Sequence, residues 1–321
     1  MSGPSYSIAI RTLGTAGEFF RRELESIMRQ TVQPERVVVY IAEGFERPAY
    51  TVGGEEYVWV KKGMVAQRAL RYDEITSEFI LMLDDDVLLA PDSAERMLRI
   101  MSEHNAACVG ADVFQNHKMS LKTKVFAAVT NLVFPHWSRK WAFKIHRNGS
   151  FSYNNRPKKT FYWSQSCGGP VMMWRKESLR HIHLEDELWL DKLGFAYGDD
   201  ALESYKLCRN GGRLGVLYDS GIRNLDAGSS STAFKKSPDR IYVRTKASFM
   251  IWWRSCYRYG TDTAWSRFLA SCAFLFKTIW LLPVMCAAGR PGAYLRGLRD
   301  GWKEVHSEAF RALPAYRLPK E

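Results

Sequence analysis

Three consecutive carboxylates, Asp84, Asp85 and Asp86, follow at once on the uncharged run Phe79-Ile80-Leu81-Met82-Leu83. Such a run, with a Pro91-Asp92 turn signal beyond it, reads as a buried parallel strand, and α/β sheets place their ligands at the carboxyl ends of such strands. Adjacent carboxylates are tolerated where they face water, meet cations or hold a divalent ion. In an extended segment Asp84 and Asp86 point to one side and Asp85 to the other, so the outer pair can clamp a metal. Mg²⁺ takes one or two protein carboxylates and completes its shell with water and phosphate oxygens, which suits a metal-diphosphate complex. The plainer reading is that the aspartates cap the strand and start the next helix, a task for which one Asp suffices.

A second acidic pair, Asp199-Asp200, comes roughly 110 residues later, after Gly198. It opens a predicted helix that ends at Gly211-Gly212. Singly, either Asp is a cap. The duplication points to chemistry, as does the approach through Trp189, Phe195, Tyr197 and Gly198, which can form a sugar-sized surface. One carboxylate cluster for a cation and one carboxylate left as a base define a reaction class. A departing diphosphate is neutralised while a separate carboxylate takes the proton of an incoming hydroxyl, which is in-line displacement at a carbon bearing a nucleotide diphosphate. No acid is needed for such a leaving group.

These residues need a sheet to position them, and the first 110 residues alternate strand and helix patterns as βαβ units do. The pattern predicts strands over Tyr6 to Arg11, Arg36 to Ile41, Tyr57 to Lys61 (an edge) and Ala106 to Val109, besides the one ending in the aspartates. It predicts helices over Thr15 to Gln30, Met64 to Ile75 and Asp92 to Met101. Such alternation implies a doubly wound α/β sheet. Phe161 to Trp174 reads as loop and strand around Gly168-Gly169-Pro170.

The formal net charge is +12, and it is local. From Val113 to Lys176 there is no Asp or Glu but there are twelve Lys and Arg, equal to the whole excess. An anionic partner is expected beside that stretch. Within it, Leu121 to Lys144 interleaves bulky apolar and basic residues, the pattern of an interfacial membrane segment or of a buried helix pair. Nucleic acid fits this alternation less well than an anionic membrane surface does.

Phe268 to Ala288 has one charge, Lys277, and one proline, Pro283. Its length permits a membrane span, but the central lysine and the proline favour a helix lying in or re-entering the interface. Arginines at 258, 267, 290, 296 and 299 suit the cytoplasmic edge of a membrane. A soluble helical hairpin packed on the catalytic domain is the alternative. No charged-then-apolar leader is seen at the start, and the six cysteines lack close Cys-x-x-Cys spacing, so reduced thiols and a cytoplasmic setting are expected. His181 and His183, two apart, decorate an extended segment.

The order Ile8-Ala9-Ile10-Arg11-Thr12, Ser26-Ile27-Met28-Arg29-Gln30-Thr31-Val32-Gln33-Pro34, Lys62-Gly63-Met64-Val65-Ala66-Gln67-Arg68, Leu83-Asp84-Asp85-Asp86 and Gly198-Asp199-Asp200 resembles family 2 of the nucleotide-sugar glycosyltransferases, over roughly residues 5 to 230. The resemblance implies the GT-A fold, an α/β, Rossmann-like, doubly wound mixed sheet, here with a C-terminal helical appendage. It implies a catalytic domain over 1–235, with 113–176 as a basic acceptor region, and a membrane-associated helical region over 236–321. It assigns Asp84 and Asp86 to the metal (Mg²⁺ or Mn²⁺), and Asp84 and Asp85 to the nucleotide diphosphate sugar. Thr12 and Glu43 go to the nucleobase side and Arg68 to the phosphates or ribose. Ser164 to Gly169 line the acceptor side, and Asp200 is the catalytic base, with Asp199 its neighbour and rival.

The family's acidic turn after the second strand is replaced by Tyr40-Ile41-Ala42-Glu43-Gly44, with Glu43 as the substitute, which leaves the nucleotide open. The Gln-x-x-Arg-Trp signature of processive members is absent, which implies addition of one sugar. The function expected is an inverting, metal-assisted glycosyltransferase acting on a saccharide acceptor linked to polyprenyl diphosphate. The expected place is the cytoplasmic face of the plasma (inner) membrane, peripheral or monotopic, in polysaccharide biosynthesis. A catalytically inactive nucleotide- or glycan-binding partner protein is the rival, and a nucleotidyltransferase a more distant one, since Leu13-Gly14-Thr15-Ala16-Gly17 only loosely matches a phosphate loop.

Overall fold

The structure is a computed structural model that describes residues 4–112, 121, 125, 140–194, 197–225, 239–260 and 263–317. The strands are β1 (Tyr6–Thr12), β2 (Val37–Ala42), β3 (Glu55–Val60), β4 (Phe79–Asp84), β5 (Val87–Leu89), β6 (Cys108–Ala111), β7 (Phe143–Ile145), β8 (Phe151–Tyr153), β9 (Phe161–Ser164), β10 (Val171–Arg175), β11 (Leu214–Leu217) and β12 (Ile222–Asn224). Among the described residues an eight-stranded mixed sheet runs β3-β2-β1-β4-β10-β6-β11-β9. β1, β2, β3 and β4 are parallel, whereas β10 is antiparallel to both β4 and β6.

Helices cover both faces, and alternation along the strands feeds each of them. Ile8, Ile10, Leu81 and Leu83 pack under α1 (Glu18–Met28) and α2 (Ser93–Glu103) through Phe20, Leu24, Ile27, Met97 and Met101. Ala9, Ile80 and Met82 face the opposite layer, which holds Tyr72, Ile75, Ile182 and Leu207. Here lie α3 (Lys176–His181), a 3₁₀ helix (Leu184–Leu193) and α4 (Asp199–Arg209). α4 ends as its paired glycines predict. Gly212 N–H donates to Leu207 C=O at 3.0 Å and Gly211 N–H to Cys208 C=O at 3.3 Å, which satisfies the last carbonyls.

The helix expected over Met64 to Ile75 does not form. After one turn, in which Gln67 N–H donates to Gly63 C=O and Ala69 N–H to Val65 C=O, the chain leaves helical geometry, and Tyr72 has φ +52°. The apolar residues that mimic a helical period serve different cores, Val65 one and Tyr72 with Ile75 another. A single helix cannot present them to both. The aspartate run departs from expectation too. β4 stops at Asp84, and Asp85 and Asp86 form a turn into β5, so the strict alternation of an extended chain does not reach Asp86.

The C-terminal helices are α5 (Arg240–Ile251), continuing into a π-helical stretch (Trp252–Arg258), α6 (Ala264–Ala287), α7 (Pro291–Val305) and α8 (Glu308–Arg311). α5 and α7 cross closely because Gly297 and Gly301 face α5; a Cβ on Gly297 would lie 2.8 Å from Thr245 Cβ. Ala247, Met250, Val305, Phe310 and Tyr316 share one core with Val65, Leu190, Leu202 and Tyr205 of the sheet-bearing part. Trp189, expected to offer a sugar surface, is buried in this core. Its ring packs edge-on against Phe310 at 5.1 Å, and its Nε1 donates to Glu187.

α6 is different. It is long and apolar enough to cross a membrane, and little of it is buried. Trp265, Phe268, Leu275, Phe276, Ile279 and Trp280 are exposed. Phe274 stacks on Trp252 at 4.0 Å, and the Lys277 ammonium reaches the Asn148 carbonyl at 3.5 Å, so one side of the helix is tied to the body. Residues 113–120, 122–124 and 126–139, most of the basic segment, lie outside the described residues. All six cysteines are free thiols.

Candidate active site

The carboxyl ends of β1 and β4 lie side by side, with Arg11 in register with Asp84. Arg11 Nε donates to Asp84 Oδ1, and Arg11 Nη1 donates to the Met64 carbonyl at 3.3 Å. Asp85 turns the other way and accepts a bond from Thr12 Oγ1 at 2.5 Å, while Thr12 Oγ1 itself accepts from Gly14 N–H at 2.7 Å. Burial, then the charges of Asp84 and Asp86, push the Asp85 carboxyl up to about 6, against the opposing Thr12 bond.

Asp84 N–H donates to the carbonyl of Pro170, just before β10, at 3.0 Å, and the residue preceding that proline bonds to the second acidic centre. Gly169 N–H donates to Asp200 Oδ2 at 3.1 Å, and Asp200 Oδ1 accepts from Ala201 N–H at 2.7 Å. Arg68 closes the ring. Its Nη1 donates to Asp199 Oδ2 at 2.5 Å and lies 3.4 Å from Glu203 Oε2. A Cβ on residue 169 would sit 2.2 Å from Arg68 Nη2 and 3.0 Å from Asp200 Cβ, so a side chain there would displace the guanidinium.

Asp84, Asp85, Thr12, Arg68, Asp199 and Asp200 therefore meet beyond the carboxyl ends of β1 and β4. A small cavity there is lined by Arg11, Arg68, Tyr40, Gln67, Tyr72 and Gly169. Glu43 lies at the same end of the sheet, one residue beyond β2, but it is exposed and its backbone N–H donates to the Val60 carbonyl. Asp86 is 9% exposed, and its backbone carbonyl accepts from Leu225 N–H at 2.8 Å. Tyr197 stays partly exposed under the Arg244 guanidinium, and Phe195 lies outside the described residues. His183 pairs with Glu185 at 3.1 Å, apart from the site.

Three residues were missed by the reading of motifs. Asp191, on the 3₁₀ helix, accepts from Val65 N–H at 3.0 Å and Ala66 N–H at 2.9 Å, fixing the turn that presents Arg68. Glu203 is 1% exposed, and its Oε1 has no hydrogen-bond partner. Burial raises its carboxyl to about 8, against the pull of Arg68. Glu23 is fully buried behind the aspartates, with Oε1 also unpartnered. Burial and the charges of Asp85, Asp86 and Asp84 hold its carboxyl well above the usual range. Both had a signal. Glu23 falls on the apolar stripe of α1 with Phe20, Leu24 and Ile27, and Glu203 stands one helical turn from Asp199.

Burial, then the Asp199 charge, raises the Asp200 carboxyl above the ordinary aspartate value of 3.8, although Arg68 and the two backbone N–H groups oppose this. A carboxylate held by two donors, largely buried and more basic than usual, can take a proton from a hydroxyl in the cleft. Asp84 closes β4 and Asp86 lies on the turn that follows, and carboxylate oxygens are the donors that Mg²⁺ and Mn²⁺ take when phosphate and water oxygens complete the shell. No group of three or more His, Cys, Asp or Glu arranged to hold a metal ion occurs among the described residues.

No protein-family model matches the chain, and no curated protein matches it in sequence. Solved structures do. A mannosyltransferase, PcManGT of Pyrobaculum calidifontis, solved with GDP-Man and Mn²⁺, matches with 13% identity over 97% of this chain and 83% of its own, at a TM-score of 0.45. TarS of S. aureus matches with 12% identity over 96% of this chain, at a TM-score of 0.50; this chain spans half of TarS. At such identity the likeness is one of fold, an α/β mixed sheet of the GT-A type carrying C-terminal helices.

Proposed function

We propose that the protein is an inverting glycosyltransferase that moves a single sugar from a nucleotide diphosphate sugar to a saccharide acceptor carried on polyprenyl diphosphate. The observation that carries this reading is the short bonded path between the two acidic centres, from Asp84 through Pro170 and Gly169 to Asp200. Asp84 and Asp86 would hold the divalent cation, and Thr12, Asp85 and Glu43 would meet the nucleotide along the strand ends. A cation bound there would neutralise the charge gathering on the diphosphate.

Asp200 takes the proton of the acceptor hydroxyl as its oxygen bonds to the anomeric carbon. The bond to the diphosphate breaks on the opposite side, and the leaving group keeps the electron pair. Gly169 N–H and Ala201 N–H fix the direction of the Asp200 carboxylate, and Arg68 with Asp199 holds the helix end that carries it.

The setting we propose is the cytoplasmic face of the plasma (inner) membrane. The exposed aromatic and aliphatic side of α6 would lie in the lipid interface, with arginines 258, 267, 290, 296 and 299 near anionic headgroups. A thermal-shift screen of UDP-, GDP- and dTDP-sugars with Mn²⁺ or Mg²⁺ tests the donor reading. Metal-dependent stabilisation by one donor class is expected, and a flat response to all of them removes it. Flotation with vesicles containing anionic lipid tests the membrane part, which fails if the protein stays with the aqueous fraction.

A further inference from the structure

Arg11 places a cation on the carboxylate that the reading above assigns to another cation. It is the penultimate residue of β1, and the parallel register puts its side chain on the same face of the sheet as Asp84. The pair is largely shielded, with 16% and 25% of the two side chains exposed, and Arg11 is also anchored to the Met64 carbonyl. A guanidinium in bonding contact with Asp84 Oδ1 leaves that oxygen unavailable to a metal, and its charge repels a divalent ion from the rest of the carboxylate. Arg11 also lines the cavity beside the strand ends together with Arg68. Arg68 is committed to Asp199 and Glu203, whereas Arg11 has the single carboxylate partner Asp84 among the described residues.

We infer that Arg11 is an exchangeable counter-ion. Without donor it neutralises Asp84; when a nucleoside diphosphate arrives with a divalent cation, the cation takes Asp84 and the guanidinium pairs with the diphosphate. Two cations then sit beside Asp84 only because the ligand brings the negative charge that both need. Cation binding at this site is thereby made dependent on the nucleotide, and the dependence is reciprocal. The inference rests on the proposed donor site at Asp84 and goes beyond it, since a bare metal-binding strand end would take Mn²⁺ alone.

The test is Mn²⁺ binding to the full chain, followed by the electron paramagnetic resonance of the free ion, without nucleotide and with UDP, GDP or dTDP. Wild-type protein should bind Mn²⁺ at least about tenfold more tightly with the matching nucleotide. Arg11→Gln should bind Mn²⁺ without nucleotide about tenfold more tightly than wild type and should lose affinity for the nucleotide. Arg11→Lys should keep the wild-type pattern in weaker form. Equal nucleotide-free Mn²⁺ affinity in wild type and Arg11→Gln, with nucleotide-dependent binding intact in wild type, overturns the exchange and leaves the donor site standing. Should Arg11→Gln not fold, the wild-type measurement decides, because Mn²⁺ affinity unchanged by all three nucleotides overturns the exchange. No Mn²⁺ binding under any condition overturns the donor site and this inference together.

Discussion

Two clusters of buried charge draw on successive turns of α4, and they are built on different principles. At the junction with the C-terminal helices, Glu187 accepts from Arg254 Nε and Nη2, both at 2.7 Å, and from Trp189 Nε1 at 2.8 Å. Lys206 lies 3.2 Å from Glu187 and 3.0 Å from Asp186, and Arg254 also donates to the Pro314 carbonyl at 2.9 Å. Two cations face two carboxylates. Against the cost of burial, Arg254 and Lys206 hold the Glu187 carboxyl below its usual value. At the site, Arg68 pairs with Asp199 and Glu203 beside Asp200, one Glu203 oxygen has no partner, and the Asp200 and Glu203 carboxyls are raised. A balanced cluster holds parts together; an acid-rich one retains protons and cation-binding capacity that chemistry can use.

The sharpest way to break this contrast is at the junction. Arg254→Met strands Glu187 in a dry core and should cost about 3–5 kcal/mol, read from urea unfolding. A loss below about 1 kcal/mol would mean that the junction is not held by its charges. At the site, Asp200→Asn should slow sugar transfer by about a hundredfold to a thousandfold while donor-induced thermal stabilisation remains. Transfer at the wild-type rate would remove Asp200 from the chemistry. The acid limb of the wild-type rate profile should lie above the ordinary aspartate value of 3.8, with activity lost as pH falls through it, because the base must be ionised.

Glu203 turns the contrast into a stability measurement. Its carboxyl is protonated in the folded protein up to about 8 but ionises near 4.5 when exposed, so the folded state holds the extra proton between those values. Stability should fall as pH rises through that window and level off above it. Glu203→Gln should flatten the slope and gain about 2 kcal/mol at pH 8, after allowance for its pairing with Arg68. An unchanged slope in urea titrations at pH 5 and pH 8 would show that Glu203 ionises normally. The smallest effect concerns what the junction carries. Replacing Phe276 and Trp280 on α6 with serine should weaken binding to anionic vesicles by about tenfold and leave the unfolding midpoint of the body in place.

Particular residues show what was legible in the chain. The run before Asp84 announced its strand, since a segment buried on both faces has no polar position to spare. Gly211-Gly212 announced the end of α4, because that cap is local. Met64 to Ile75 misled, because its apolar spacing comes from serving two cores. Asp191 gave no signal, since it lies 126 residues from the backbone it caps.

The sequence by itself determined the kinds of group available, two acidic centres, a β1 strand ending in Arg11 and Thr12, and a lone apolar helix near the end, because side-chain chemistry and short-range backbone preferences are written locally. Only the tertiary structure decided that Asp84 meets Arg11, that Gly169 lets Arg68 and Asp200 close on one loop, and that burial raises the Glu203 carboxyl. Those outcomes depend on distance and dielectric between residues far apart in the chain, and folding alone sets both.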